Sequence, residues 1–223
     1  MKIHQPKILL AILLACLGSR GFAQRRDDPQ RDSQIWPDTT VSIKLDEKLT
    51  LVMFGTIRFG RDDSAAVSHQ AGIGINRRFS PKLSAGVHYR FVENEPTPTR
   101  LSTEHRLWVE LTPRTALKFG FNLSDRNRME WRDINDKVSW RYRNRLQLER
   151  PLTLGEFKLT PYVYGEAMYD TRFRTWNRSQ VYVGARIPIV KHVTVDGFYM
   201  RQFDARALPG FLHVVGTFLR LEF

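Results

Sequence analysis

From residue 38 to the end of the chain, apolar and polar side chains alternate with a period of two, and no unbroken apolar stretch of ten residues occurs after residue 24. A membrane-crossing helix needs about 20 consecutive apolar residues, so none can form there. The period instead reads as strands with one apolar and one polar face. Val41, Ile43 and Leu45 alternate with Thr40, Ser42 and Lys44, and Leu49, Leu51, Met53, Ile57 and Phe59 continue the pattern after Asp46-Glu47-Lys48. Further segments run at about 67–77, 82–94, 102–112, 115–133, 137–149, 157–170, 177–189, 192–203 and 211–223. Turn chemistry separates them at Phe79-Ser80-Pro81, Glu95-Pro96-Thr97-Pro98, Thr112-Pro113-Arg114, Pro151 to Gly155 and Leu208-Pro209-Gly210.

Strand length narrows the choice of architecture. Soluble strands usually have about five or six residues, whereas membrane-crossing strands need about 9–11. Most of these segments meet the longer requirement, which predicts an all-β, antiparallel, up-and-down transmembrane β-barrel. A soluble barrel carrying a small lipophilic ligand would have its apolar residues turned inward, and alternation alone does not say which face is inside. Two features favour the membrane. Aromatics such as Trp131, Trp140 and Tyr169 stand near strand ends, as interfacial girdles do, and the last strand alternates from Phe211 to a terminal Phe223. Phe223 resembles the insertion signal of outer-membrane proteins, although Gly216 is not at the usual spacing. Eleven segments can be counted, whereas bacterial single-chain barrels have even numbers. Ten strands would leave 36–45 as an extra piece, and twelve would need a strand from the polar lead-in, so the expectation is 10–12.

The N-terminus supports export. Lys2 and Lys7 precede the apolar run Ile8 to Ala15, and Gly21-Phe22-Ala23 supplies small residues for cleavage after Ala23. The expected organisation is therefore a signal peptide at 1–23, a polar lead-in at 24–35 and a barrel at 36–223, in the bacterial outer membrane. The only cysteine, Cys16, leaves with the signal unless Leu13-Leu14-Ala15-Cys16 serves as a lipidation box. The mature chain then holds no disulfide.

Lys and Arg number 35 against 23 Asp and Glu, a net charge of +12, of which +9 remains after Lys2, Lys7 and Arg20 are removed. Such basicity would ordinarily suggest nucleic acid, but the charge is spread along the strands and no nucleic acid partner is expected. Its densest part is a hairpin. Arg126, Arg128, Glu130 and Arg132 share one face of its first arm, with Lys118, Asn122 and Ser124 before them. Ser139, Arg141, Arg143, Arg145, Gln147 and Glu149 share one face of the second. A turn at Asp133 to Lys137 would pair Trp131 with Trp140 and Glu130 with Arg141. An arginine facing lipid at mid-bilayer costs about 2–4 kcal/mol, so these six arginines must face the lumen or lie beyond the membrane. Two lumenal arrangements satisfy that requirement. One is a positive constriction that selects anions; the other is a packed interior in which Glu104, Glu110, Glu130, Glu149 and Glu166 neutralise the arginines. Small barrels fill with side chains, which favours the second. A third arrangement has the outer strand ends binding anionic headgroups.

The motifs Arg126-Asn127-Arg128-Met129-Glu130-Trp131-Arg132, Trp140-Arg141-Tyr142-Arg143-Asn144-Arg145-Leu146, Pro161-Tyr162 with Glu166, Trp176-Asn177-Arg178 and Tyr199-Met200-Arg201-Gln202 resemble the uncharacterised bacterial outer-membrane family called domain of unknown function 2490. The resemblance covers about residues 34 to 223. It implies a β-barrel and carries no established activity. Catalytic groupings are weak: Ser68 and His69 are consecutive and so point to opposite faces. His69, His88, His105, His192 and His213 read as wall or rim residues without metal-ligand spacing, and no cofactor motif is present. The expected function is a narrow, anion-preferring channel or a structural membrane component, with a lipid-modifying enzyme as the alternative and a soluble periplasmic binder third. Expected partners are outer-membrane lipid and, through the C-terminal strand, the barrel-assembly machinery.

Overall fold

A computed structural model of the protein describes residues 31–60, 64–97 and 99–223. The expected signal segment with Cys16, and residues 24–30 of the lead-in, lie outside the described residues. The strands are β1 (Arg31–Lys44), β2 (Leu49–Gly60), β3 (Ala65–Ser80), β4 (Leu83–Thr97), β5 (Arg100–Ala116), β6 (Asn122–Ile134), β7 (Lys137–Glu149), β8 (Leu152–Leu154), β9 (Phe157–Asp170), β10 (Thr175–Val190), β11 (Val193–Asp204) and β12 (Phe211–Glu222). Eleven of them form a closed barrel; the three-residue β8 pairs only with β9, in the connection from β7 to β9. Twelve residues at about 3.4 Å each, tilted about 40°, rise about 30 Å, the height of a bilayer core.

The expected fold is observed, with one departure in how it closes. Every neighbouring pair in the barrel is antiparallel except β1 with β12, which run parallel from Arg31↔Phe211 to Ser42↔Glu222. An odd number of alternating strands makes this unavoidable, since the first and last point the same way. The observed eleven lies between the ten and twelve that the even-number rule left open for 36–45. That segment belongs to β1, which also takes in residues 31–35 from the supposed lead-in. Alternation explains how so polar a stretch can serve in the wall. Asp32 and Gln34 face the lumen, where Gln34 donates to Asp32 Oδ2 (2.7 Å) and Trp36 Nε1 donates to Gln34 Oε1 (2.7 Å).

Two turn expectations also shift. Thr112-Pro113-Arg114 lies inside β5, with Pro113 opposite Leu83, and the reversal comes later, in the 3-10 turn Lys118–Gly120. There Phe119 and Gly120 take positive φ (61° and 75°). Lys118 and Phe119 thus belong to a turn and not to the arm of β6. The β6–β7 hairpin does close as expected. Asn135 and Asp136 both have positive φ (48° and 62°), as a two-residue type I′ turn requires, and Trp131 pairs with Trp140 and Glu130 with Arg141.

The faces are unambiguous. Ile57, Ile73, Val87, Val109, Val181 and Val215 point outward and are exposed, whereas Glu130, Arg132, Arg141, Glu166 and Asp170 are buried inside. This is the reverse of a soluble carrier barrel and the arrangement of a membrane-crossing one. No helix among the described residues is long and apolar enough to cross a membrane. Outward aromatics gather toward the Phe211 end, where Trp176 meets Tyr142 and Tyr169 edge-on at 6.0 and 5.9 Å.

The wall carries a polar cluster on β6 and β7. Asp125, Asn127, Tyr142 and Asn144 face outward near the middle of β6 and β7 and satisfy one another. Asn144 Nδ2 donates to Asp125 Oδ1 (2.6 Å), Asn127 Nδ2 to Asp125 Oδ2 (3.1 Å), and Tyr142 Oη to Asn127 Oδ1 (2.5 Å). Removing one member strands the others in an apolar setting at about 1–3 kcal/mol. Asn144→Leu is therefore expected to destabilise the barrel by that much, while the Asp125→Leu/Asn144→Leu pair costs less than the sum of the singles. Urea unfolding in vesicles measures both; additive singles would contradict the mutual satisfaction.

Candidate functional site

The inward side chains build a charged interior in which arginine and carboxylate are interleaved by strand register. The register of β6 and β7 sets Arg126 opposite Arg145 and Arg128 opposite Arg143. Like charges directly opposite repel, so carboxylates from neighbouring positions must lie between them. Glu166, from β9, accepts from Arg126 Nη2 (2.7 Å), Arg143 Nε (2.7 Å) and Arg145 Nη2 (2.9 Å). Glu130 is completely buried and lies 3.0 Å from Arg143, 3.6 Å from Arg128 and 3.9 Å from Arg141. Glu104 takes a two-pronged pair from Arg132 (2.6 and 2.8 Å) and a third bond from Arg106 (2.8 Å), and Glu110 pairs with Arg128 (2.6 Å). Bidentate pairs of this kind fix geometry as well as charge.

Arg126, Arg128, Arg132, Arg141, Arg143 and Arg145 line the central cavity, and Glu130 and Glu166 lie behind them as counter-charges. The expected neutralising set is also present, with one reassignment. Glu149 bonds Arg186 of β10 and not the cluster, because its place at the end of β7 puts it beyond the reach of the central arginines.

Sequence reasoning missed Asp170. It joins Arg132 (3.1 Å), Arg141 (3.0 Å) and Arg172 (2.8 Å) from the last position of β9. A strand end beside a turn reads as surface, and only the β7–β9 register, Arg141↔Asp170, brings it inside. Arg58, Arg90 and Arg106 were also missed: Arg58 and Arg90 are single arginines on their strands, and Arg106 is six or more residues from Arg100 and Arg114 on β5. Their inward parity was the available signal.

His88 corrects the expectation of a wall or rim residue. It is buried in the lumen and stacked on Trp108 with ring centroids 4.9 Å apart. It fits because β3 and β4 supply Gly74 and Gly86 beside it, where an added Cβ would lie 2.0 and 2.5 Å from the imidazole. His105 and His213 do face outward, bonded to Tyr89 (2.7 Å) and Tyr199 (2.6 Å), and His192 lies at the rim against Phe223. Ser68 is buried and His69 exposed, on opposite faces as expected. Among the described residues no group of His, Cys, Asp or Glu has metal-binding geometry.

The network does not fill the barrel. A cavity of about 910 Å³ runs from Asn135 and Leu208 at the Phe211 end to Arg186 and Arg220 near the Phe223 end. Its lining includes 14 arginines and five carboxylates among the described residues. Every barrel strand contributes to its lining, β3 through Val67, Ser68 and Gln70. Phe54 lies over Gly72, where an added Cβ would be 2.2 Å from its ring.

A closed up-and-down barrel with an apolar exterior and an ionic interior is a β-barrel of the outer-membrane type. The chain belongs to the family described as "Protein of unknown function (DUF2490)", which it matches over residues 33–209. No curated protein matches it in sequence. Among solved structures it is similar to the beta domain of the Bordetella autotransporter BrkA, with a TM-score of 0.52 and 10% identity over 81% of this chain and 86% of that one. It is also similar to LpxR from Salmonella typhimurium, with a TM-score of 0.48 and 11% identity over 74% and 80% of the two chains. The BrkA likeness agrees with the barrel architecture.

Proposed function

We propose that this protein is an outer-membrane barrel that passes small anions through a narrow, arginine-walled lumen. The observation that carries the reading is the composition of the cavity surface: 14 arginines against five carboxylates, with Glu110, Glu130, Glu166 and Asp170 set behind the guanidinium groups. A low-dielectric wall of one sign raises the local concentration of the opposite ion, and rings of arginine favour anions. Ion pairs between the strands narrow the passage. The outward apolar face contacts membrane lipid, and the strand ending at Phe223 is the segment the assembly machinery would engage.

Planar-bilayer reversal potentials across a salt gradient test the reading. Anion preference is expected, and Arg143→Ala should shift the permeability ratio several-fold toward cations by leaving Glu130 and Glu166 under-compensated. Absence of conductance, or a cation preference that Arg143→Ala leaves unchanged, would reject the pore.

A further inference from the structure

Eleven of the 14 cavity arginines have a carboxylate within 4.0 Å, and Arg100 lies exposed at the rim. Arg58 on β2 and Arg90 on β4 are different. Among the described residues neither has a carboxylate within salt-bridge distance, and the Nε of each is buried without a hydrogen-bond partner. Both are held by aromatic faces instead. The Arg58 guanidinium lies 3.7 Å from the Trp36 ring centroid, and that of Arg90 lies 4.5 Å from Phe54 and 5.5 Å from Trp108. Arg90 Nη1 also donates to Gln70 Oε1 (2.9 Å). Asp38 on β1 faces the same side, and its Oδ1 accepts from Thr56.

Stacking on a ring orients a guanidinium without neutralising it. A buried cation is costly unless an anion completes it, and elsewhere in this lumen a carboxylate does so. The two exceptions line the central cavity. Their planar forks suit the oxygens of a phosphoryl group, which they can bond in pairs. They are also staggered along the barrel, since Arg58 pairs in register with Ser68 and Arg90 with Gly72, four residues further along β3. A site that long suits an anion larger than a single phosphate.

We propose that Arg58 and Arg90 anchor a binding site for a phosphate-bearing polyanion, of which diphosphate is the smallest member. This rests on the anion-accepting lumen proposed above and adds a saturable site to it. Trp36 and Trp108 lie against the two arginines and are built-in reporters. The test titrates the folded, detergent-solubilised full chain with pyrophosphate, orthophosphate and a short-chain phosphatidic acid, at constant ionic strength set with sodium chloride, and follows tryptophan fluorescence. Saturable quenching by pyrophosphate is expected, with orthophosphate at least tenfold weaker. Quenching by phosphatidic acid at concentrations as low as pyrophosphate's would assign the phosphoryl group to a lipid headgroup and keep the two arginines as its anchor.

Arg58→Met and Arg90→Met, which keep the stem against the ring, should each raise the half-saturating pyrophosphate concentration at least tenfold. Arg77→Met at the rim should leave it within twofold. If a methionine variant does not fold, Arg58→Lys preserves the charge, loses the fork and should still weaken binding. Quenching by chloride alone, no saturable response to pyrophosphate, or equal weakening by Arg77→Met would each overturn the site. Saturable binding without bilayer conductance would uphold the site and reject the pore; anion conductance without binding would do the opposite.

Discussion

Glu166→Gln is expected to destabilise the barrel by about 3–5 kcal/mol, the range seen when one partner of a buried ion pair is removed. Its carboxylate is the shared acceptor of Arg126, Arg143 and Arg145, and only 3% of the residue is exposed. Glutamine keeps the volume but not the charge, so three guanidinium groups from adjacent strands are left facing one another. Adding Arg145→Gln to Glu166→Gln should recover part of the loss, because it removes one of the stranded cations. The comparison is Glu149→Gln, which breaks the half-exposed pair with Arg186 and should cost about 1 kcal/mol or less. The midpoint of urea unfolding, read by heat-modifiable gel migration, measures all three. If Glu166→Gln and Glu149→Gln proved equally mild, the lumenal network would not be what holds β6, β7 and β9 in place.

A second large effect is expected on the opposite face. Val181 is outward and exposed near the middle of β10, whereas Val190 closes the same strand. In a membrane Val181→Arg should cost about 2–4 kcal/mol and Val190→Arg about 0–1, because the penalty for arginine falls from the bilayer midplane to the interface. On a wall bathed in water the two substitutions would cost the same small amount. Unfolding of the vesicle-inserted protein by guanidinium, followed by tryptophan fluorescence, separates the cases. Equal small effects would reject membrane embedding.

These two experiments probe what was legible in the chain and what was not. The period of two placed Arg126 through Arg145 on a single face, and the cost of arginine in hydrocarbon assigned that face to the interior. The pairing of Trp131 with Trp140 across Asn135-Asp136 followed from the turn, since a two-residue loop sets its own register. Such inferences use only neighbours in sequence. The partners of the arginines were less accessible. Glu166 comes 40 residues after Arg126, and Asp170 comes 38 after Arg132. Which of several carboxylates meets which guanidinium depends on the stagger between strands, and no local pattern encodes that stagger. The parallel seam between β1 and β12 was hidden for the same reason: it joins the two ends of the barrel, and the even-number expectation argued against it.

By itself, then, the sequence determined the all-β barrel, the sign of its inner face and the turn of its central hairpin, because alternation and turn chemistry act over a few residues. The tertiary structure alone decided that all eleven segments join one barrel, the parallel closure, the pairing inside the lumen and the isolation of Arg58 and Arg90. Each of those depends on side chains brought together only when a sheet curls and meets its own first strand.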